Sequence, residues 1–348
     1  MNGLSTLNKL VYFVNSISLF ILLLSYISPY ISPDFFWPIS FIGLIFPILY
    51  IINIIFLIYW AIGFKKPMWA NIIILIIGIG NIKNYIGTSP NTKSSPDNIK
   101  VLTYNVRLFN RYNWIEKVNV KEQISDFLIN ENSDIVCIQE FYTSKNIPSF
   151  NYPFQHIGLQ NRVDQWHMAI YSRYPQITKE TIRINGKQMN NTCIFSDIVV
   201  RQDTIRVYNL HLASNWFNRS DYSFIENPKK EHLKKSLLGI IKRMKDSYIK
   251  RAKEVSVIKK HMQNSPFPLI VCGDFNDTPL SYAYYSIKHN LVDAFSNSGK
   301  GIGASFVKIP ALRIDYILHD KKFKNTNYTQ HNEILSDHYA ISCEIAIP

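Results

Sequence analysis

Gly273-Asp274-Phe275-Asn276-Asp277-Thr278-Pro279 is the stretch on which the reading of this 348-residue chain turns. Pro268–Cys272 before it is short and apolar, the signature of a buried strand. The strand thus runs into a glycine and then offers Asp and Asn two positions apart. In extended backbone, side chains at i and i+2 point the same way. The spacing therefore predicts that Asp274 and Asn276 act on one group. Asp274 can orient or deprotonate a water, and Asn276 can donate to the charge that develops when a phosphate ester is attacked. Pro279 suits the first turn of a following helix. A plain Asx turn is the bland alternative, and it must be weighed against the rest of the chain.

Four further segments repeat the pattern: Thr103-Tyr104-Asn105-Val106, Gln139-Glu140, Asn209-Leu210-His211-Leu212 and Ser336-Asp337-His338. Each puts an Asn, Glu, Asp or His at or just beyond the end of an apolar run. If those runs are buried strands, the polar groups gather along one sheet edge. A phosphate ester is already anionic, so its cleavage calls for a cation, a base for water and donors for developing charge. Glu140, at the end of Asp134–Gln139, suits Mg²⁺, a hard ion that favours oxygen ligands, with Mn²⁺ as the alternative. Asn105 offers an amide to the metal or to a phosphate oxygen, and Asp337 offers a second carboxylate. His338 can donate to a phosphate oxygen or relay a proton. Asp315 lies inside the apolar run Arg313–Leu318, and a buried acid needs a partner; His338 is the candidate. His211 sits between two leucines and would alone read as a core histidine. His156, His167, His261 and His331 lack such company and read as surface or core.

The N-terminal third is of another kind. Between Lys9 and Lys65 the only charged residue is Asp34, which leaves charge-free runs at 10–33 and 35–64, and a shorter one at 67–82. A bilayer core takes about 20 apolar residues per helix. The expectation is three membrane helices near 10–31, 36–60 and 68–86, the region 1–86 as a whole spanning the bilayer. The first run lacks a clear small-x-small cleavage site, which argues against a removed signal peptide. Lys9, Lys65 and Lys66 flank the first two spans, and the loop between them has no base. That bias predicts a multi-pass protein of the bacterial inner membrane with its N-terminus and the 65–66 loop in the cytoplasm; three spans then put the C-terminal domain on the non-cytoplasmic side, the expected arrangement, and two would put it inside.

Residues 87–98 read as a polar linker, and 99–348 as one domain of many short strands with a few helices between them. That pattern indicates an α/β (α+β) fold with two sheets packed face to face. The four cysteines, Cys137, Cys193, Cys272 and Cys343, lie in or beside strand-like runs without metal-ligand spacing, and read as core residues. Formal charge is +13, most of it outside the apolar third, which fits an anionic partner such as nucleic acid or phospholipid headgroups. Phe217–Lys253 holds eleven bases and four acids. Within it Leu233, Leu237, Ile240, Ile241, Met244 and Tyr248 recur at helical spacing. This segment is either a solvated helix face or a surface that grips a bilayer or polyanion.

The ordered set of motifs, completed by Arg313-Ile314-Asp315-Tyr316-Ile317-Leu318, resembles the endonuclease/exonuclease/phosphatase superfamily, the deoxyribonuclease I-like and exonuclease III-like group, over residues 99–348. The apolar prefix resembles that of its membrane-anchored bacterial members. The resemblance implies a four-layered α/β sandwich and divalent-metal hydrolysis of phosphodiester or phosphomonoester bonds. By position, Glu140 would be the main Mg²⁺ ligand with Asn105 beside it, and Asp337 would complete the shell. Asp274 and Asn276 would serve the water and transition state, His211 and His338 would contact the scissile phosphate, and Asp315 would orient a histidine. A nuclease is the expected activity. A phospholipid or sphingomyelin-type phosphodiesterase, or a phosphatase, is the alternative, and a non-catalytic anion-binding module is the second. His167 departs from the family, which more often has glycine there.

Overall fold

The computed structural model describes residues 5–89, 95–142, 150–158, 166–184, 187–188, 192–215, 233–309 and 311–348. They fall into two compact units. One comprises residues 1–83, 216–252 and 279–285, the other 84–215, 253–278 and 286–348.

In the first unit, α1 (Thr6–Ile27) is capped by Ser5, whose hydroxyl accepts from the Asn8 N–H. A one-turn helix, α2 (Pro33–Phe36), leads into α3 (Pro38–Leu44) and α4 (Phe46–Ala61). The region expected as one span over 36–60 is therefore two helices, bent by 61°. Pro47 enters at the second helical position of α4, where its missing N–H and ring break the preceding ladder. The last helix, α5 (Pro67–Ile82), has 16 residues and stops short of the expected residue 86. At 1.5 Å per residue it is about 24 Å long, against a hydrocarbon core of about 30 Å. Thr6–Tyr30 is long and apolar enough to cross a membrane, and α3 with α4 reach that criterion only if the bent pair is taken together.

These helices bury a few hydrogen-bonded polar side chains among apolar ones and turn large aliphatic and aromatic ones outward. Asn15 and Asn71 exchange amide hydrogen bonds at 3.1 and 2.9 Å, Trp60 Nε1 donates to Asn15 Oδ1 at 2.9 Å, and Asn53 donates to Ser18 Oγ at 2.9 Å. All five residues are buried, while Phe13, Phe20, Ile48, Ile51, Ile55, Ile73 and Ile76 face outward.

The second unit is a sandwich. In the first six-stranded sheet the order is β15 (Lys324–Gln330), β16 (Ile341–Ala346), β2 (Ile99–Asn105), β3 (Ile135–Tyr142), β5 (Trp166–Ser172) and β4 (Phe154–Ile157). In the second it is β12 (Leu291–Asp293), β14 (Asp315–Asp320), β11 (Leu269–Asp274), β10 (Asp203–His211), β9 (Cys193–Val200) and β6 (Gln176–Thr181). β2 with β3 and β10 with β11 are parallel, and the other neighbours antiparallel. The inward faces meet in a core that includes Val101, Cys137, Ile170, Ile198, Val207, Ile270, Cys272, Ile317 and Cys343. All four cysteines are buried thiols. α6 (Val120–Glu131) covers the outer face of the first sheet with Val120, Ile124 and Leu128. The C-terminal part of α7 (Leu233–Gln263) buries Val255, Ile258 and Met262, and its His261 meets Tyr208 and Phe195 of the second sheet. Helix, sheet, sheet, helix gives the four layers expected. Short elements complete the described chain: the hairpin β7 (Arg183–Ile184) with β8 (Lys187–Gln188), α8 (Tyr282–Lys288) and α9 (Ala294–Ser298).

The stretch read as a linker from residue 87 begins inside a strand. β1 (Ile86–Thr88) pairs with β13 (Lys300–Ile302). Three residues paired through backbone alone leave no hydrophobic pattern to read.

Candidate active site

Two parallel strand pairs bring the polar groups to one edge. In register, Asn105 of β2 stands beside Gln139 of β3, and His211 of β10 beside Asp274 of β11. β14 runs antiparallel to β11 and opens with Asp315 opposite Asp274. The chain before β16 bridges back, with His338 paired to Phe306. All eight residues singled out in the sequence lie in this neighbourhood.

Asp274 Oδ2 is the hub. Asn105 Nδ2 donates to it at 3.0 Å and Asn276 Nδ2 at 3.2 Å. The ring nitrogens His338 Nε2 and His211 Nε2 stand 3.7 and 3.8 Å from it. The other oxygen, Oδ1, accepts from the Asn276 backbone N–H at 2.8 Å. Asn105 also reaches Glu140 Oε1 at 3.4 Å, and His211 Nε2 lies 3.6 Å from that oxygen. On the far side of the imidazole, His338 Nδ1 meets Asp315 Oδ2 at 2.9 Å, the partnership expected for the buried acid. Asp315 Oδ1 is buried without a hydrogen-bond partner.

Local backbone explains the aim of these groups. Glu140 has φ 47° at a register shift between β3 and β5, so a bulge turns its side chain out of the strand alternation. Asn276 has φ 52°, not the extended conformation expected; its amide turns back onto Asp274 and the Leu212 carbonyl, 3.0 Å away. Both of its amide hydrogens are engaged there, so it steadies Asp274. Gly273 has φ 134°, and a Cβ at that position would sit 2.0 Å from the Leu210 carbonyl oxygen. Only glycine lets β11 approach β10 this closely. The helix expected from Pro279 starts later, at Tyr282, with Ser281 Oγ accepting from the Tyr284 N–H.

Burial, with Asp337 nearby, pushes the Glu140 carboxyl up to about 7. Burial, with Asp315 adding to it, pushes Asp274 up to about 6. For His338, burial works against the charged ring, but Asp315 and Asp274 on its two sides outweigh it and raise it to about 10. The imidazole is then a cation and a proton donor at neutral pH.

Several of the partners were not legible as such. Arg107 Nη1 pairs with Asp337 Oδ2 at 2.9 Å, and its guanidinium lies 4.2 Å from the centre of the Trp114 ring. Residues Arg107 to Asn110 all have left-handed φ, an aim that the sequence Val106-Arg107-Leu108 does not announce. Gln139 and Asn209, quoted only as neighbours of Glu140 and His211, tie the sheets together. Gln139 Nε2 donates to Asn209 Oδ1 at 2.6 Å and to Thr103 Oγ1 at 2.9 Å. Asn209 Nδ2 in turn donates to the Ile138 and Ala169 carbonyls, each at 2.9 Å. Ser336 Oγ donates to the Asn105 carbonyl at 2.7 Å and fixes the loop that carries Asp337 and His338. His167 is wholly buried at the bulge, paired with Phe141, and among the described residues its ring nitrogens have no hydrogen-bond partner.

A divalent cation fits this chemistry. Glu140 and Asp337 are hard oxygen donors, burial and the neighbouring Asp337 raise the Glu140 carboxyl, and its side chain keeps 20% exposure for entry. Asn105 turns its Nδ2 toward Glu140 and its Oδ1 to the Arg107 N–H, so it offers oxygen to an ion only with the amide reversed. Asp274, Asp315 and His338 also lie close enough to share an ion. Within that trio Asp315 and His338 are already joined by a hydrogen bond.

A two-sheet α/β sandwich with carboxylates, amides and imidazoles converging at its strand ends defines a class of phosphate-ester hydrolases. The chain belongs to the endonuclease/exonuclease/phosphatase family, whose model matches residues 102–338. A second model, a domain of unknown function, matches residues 8–85. No curated protein matches the chain. Among solved structures, an endonuclease/exonuclease/phosphatase family protein from Bacteroides thetaiotaomicron is similar, with TM-score 0.53 and 15% identity over 72% of this chain and 98% of its own. A mannosyl-6-phosphatase from the same organism matches at TM-score 0.51 and 14% identity, over 72% of this chain and 100% of its own. A conserved protein of unknown function from Enterococcus faecalis matches at 0.53 and 14%, over the same shares. The chain is thus a phosphoester hydrolase of a family whose enzymes typically use divalent metals.

Proposed function

We propose that this protein is a membrane-anchored, Mg²⁺-dependent phosphodiesterase, with Mn²⁺ able to substitute, and that its substrate is a nucleic acid. The observation that carries the reading is the convergence of Asn105, Asn276, His211 and His338 on one oxygen of Asp274, beside Glu140.

Each group then has a task. Glu140 and Asp337 would hold the ion, with Asn105 between Glu140 and Asp274. Bound there, the ion would neutralise phosphate charge and lower the pKa of a bound water. Asp274, raised to about 6, is basic enough to accept a proton from the attacking water and is held in place by Asn276. His338, a cation locked by Asp315, donates to a phosphoryl oxygen as negative charge builds there. His211 approaches the same phosphate from the Glu140 side. Arg107 balances Asp337 and is within reach of an anionic substrate near it. The excess of basic residues supports nucleic acid as substrate.

The first-unit helices support a multi-pass membrane anchor, because buried hydrogen-bonded asparagines between helices with large aliphatic side chains outside suit lipid as solvent. With three spans, and Lys9, Lys65 and Lys66 inside, the catalytic domain faces the non-cytoplasmic side of a bacterial inner membrane. A C-terminal reporter that behaves as cytoplasmic would refute that sidedness. The same anchor favours a second reading, a phospholipid or sphingomyelin-type phosphodiesterase or phosphatase working beside the bilayer.

The deciding experiment incubates the detergent-purified full chain and Mg²⁺ with plasmid DNA, RNA, phospholipid vesicles and sugar phosphates, and identifies products. Nicked or shortened nucleic acid supports the first reading, and released headgroups support the second. EDTA and Asp274→Ala should each abolish turnover. Retained turnover in both Asp274→Ala and His338→Ala would reject the mechanism.

A further inference from the structure

The basic segment that the site leaves unused is the first half of α7. Between Phe217 and Lys253 the chain carries eleven bases and four acids. In the structure the described residues of this half, up to Ala252, belong to the same compact unit as the apolar helices. One side of it is buried. Ile240, Met244 and Tyr248 cluster with Phe41 and Leu44 of α3. The Tyr248 ring stands edge-on to Phe41 at 5.4 Å, and Lys245 Nζ lies over the Trp37 ring, 5.4 Å from its centre.

Beside that buried side, among the described residues, aliphatic side chains face outward. Leu237, Leu238 and Ile241 are 41%, 58% and 38% exposed. At 100° per residue Leu237 continues the line of the buried residues toward the helix N-terminus, and Ile241 and Leu238 widen the apolar face to one side of it. Lys242 and Lys250 are exposed on the same helix. In the same unit Tyr30 and Phe35, which join the first two apolar helices, are 65% and 88% exposed. A solvated helix face would carry the lysines without the aliphatic stripe.

We propose that the first half of α7 is an interfacial helix that lies in the headgroup layer of an anionic bilayer. Leu237, Leu238 and Ile241 insert at the acyl boundary, and the lysines extend to lipid phosphates. The inference rests on the membrane reading of the apolar helices. Continuity singles out the bilayer: the stripe borders contacts to Trp37, Phe41 and Leu44, which lie where the first two apolar helices are joined, and an indole there suits the membrane interface. Charge agrees, since juxtamembrane lysines are attracted to anionic lipid. A nucleic acid would engage the lysines but leave three aliphatic side chains in water.

The test uses the full chain in vesicles. The four native cysteines are buried, so a cysteine introduced as Leu238→Cys takes an environment-sensitive fluorophore selectively. A second variant, Ile55→Cys, puts the same dye on an outward position of α4. Vesicles are phosphatidylcholine with or without phosphatidylglycerol, each with lipid-borne quenchers at the headgroup or at mid-chain. The expected result is a blue-shifted dye at 238, quenched more by the headgroup probe than by the mid-chain probe, with the larger shift in anionic vesicles. The dye at 55 should be quenched by the mid-chain probe. A water-like dye at 238 with a quenched dye at 55 overturns the interfacial helix and leaves the membrane anchor standing. Water-like dyes at both positions overturn both. A dye at 238 that responds to an oligonucleotide and not to vesicles overturns the bilayer in favour of nucleic acid.

Discussion

Asp315 offers one oxygen to His338 Nδ1 at 2.9 Å, and His338 turns its other nitrogen toward Asp274 at 3.7 Å. The ring is buried, which by itself would discharge it, yet two carboxylates hold the proton on up to about 10. Removing one of them tests the balance. In Asp315→Asn the shape remains while the charge goes, so His338 should titrate lower and lose its standing as a cation at neutral pH. Turnover should fall by roughly 10²–10⁴-fold, the usual contribution of a positioned acid or base. NMR titration of the ring alongside kcat checks both halves. An unshifted His338 with full turnover would remove Asp315 from the mechanism.

At the scale of elements, the site exists because two parallel pairs end at one edge, and because the sheets that carry them are locked together just behind it. Gln139 of β3 and Asn209 of β10 make that lock at 2.6 Å, both wholly buried. Truncating Gln139 takes its Nε2 donor from the buried Asn209 Oδ1, and truncating Asn209 leaves Gln139 Nε2 one acceptor fewer and frees the Ile138 and Ala169 carbonyls of its amide. Each of Gln139→Ala and Asn209→Ala should destabilise the protein by about 1–3 kcal/mol. The double variant should cost less than the sum, because the second change removes the orphan left by the first. Chemical denaturation of the four proteins gives the cycle. Strict additivity would mean the pair does not act as a unit.

Over the whole molecule, acid should expose the buried imidazoles. Burial, aided by Lys179, holds His156 down at about 4, and burial alone holds His167 at about 4, against an ordinary 6.5. Both folded values lie below the unfolded one, so between pH 6.5 and 4 the unfolded chain binds more protons. The stability tied to their neutral forms is complete above 6.5 and is lost as pH falls toward 4, by up to roughly 3 kcal/mol for each ring. Glu140 and Asp274, raised by burial, act in the opposite sense over much of this range, so the histidine effect is read as a difference. A His156→Phe, His167→Met variant should have a flatter loss of stability than the native chain between pH 6.5 and 4. Parallel curves would show that the two rings titrate normally.

Five segments in the sequence carried the reaction class, because polar groups at strand ends are set by chain-local facts: an apolar run, then a fixed polar letter. Asn105, Glu140, His211, Asp274 and His338 were all visible in that way, Asp315 was visible as an acid inside the apolar run Arg313–Leu318, and so were the buried cysteines and the apolar third. Other properties came only with the fold. The bulge that aims Glu140, the left-handed turn that brings Arg107 to Asp337, and the return of Asn276 onto Asp274 depend on backbone angles that residue type does not dictate. Gln139 and Asn209 meet 70 positions apart, and β1 finds β13 across a span with no hydrophobic signal. Which strands lie side by side, and which helix face is left for another partner, are decided by long-range packing, since one-dimensional order records periodicity but not proximity.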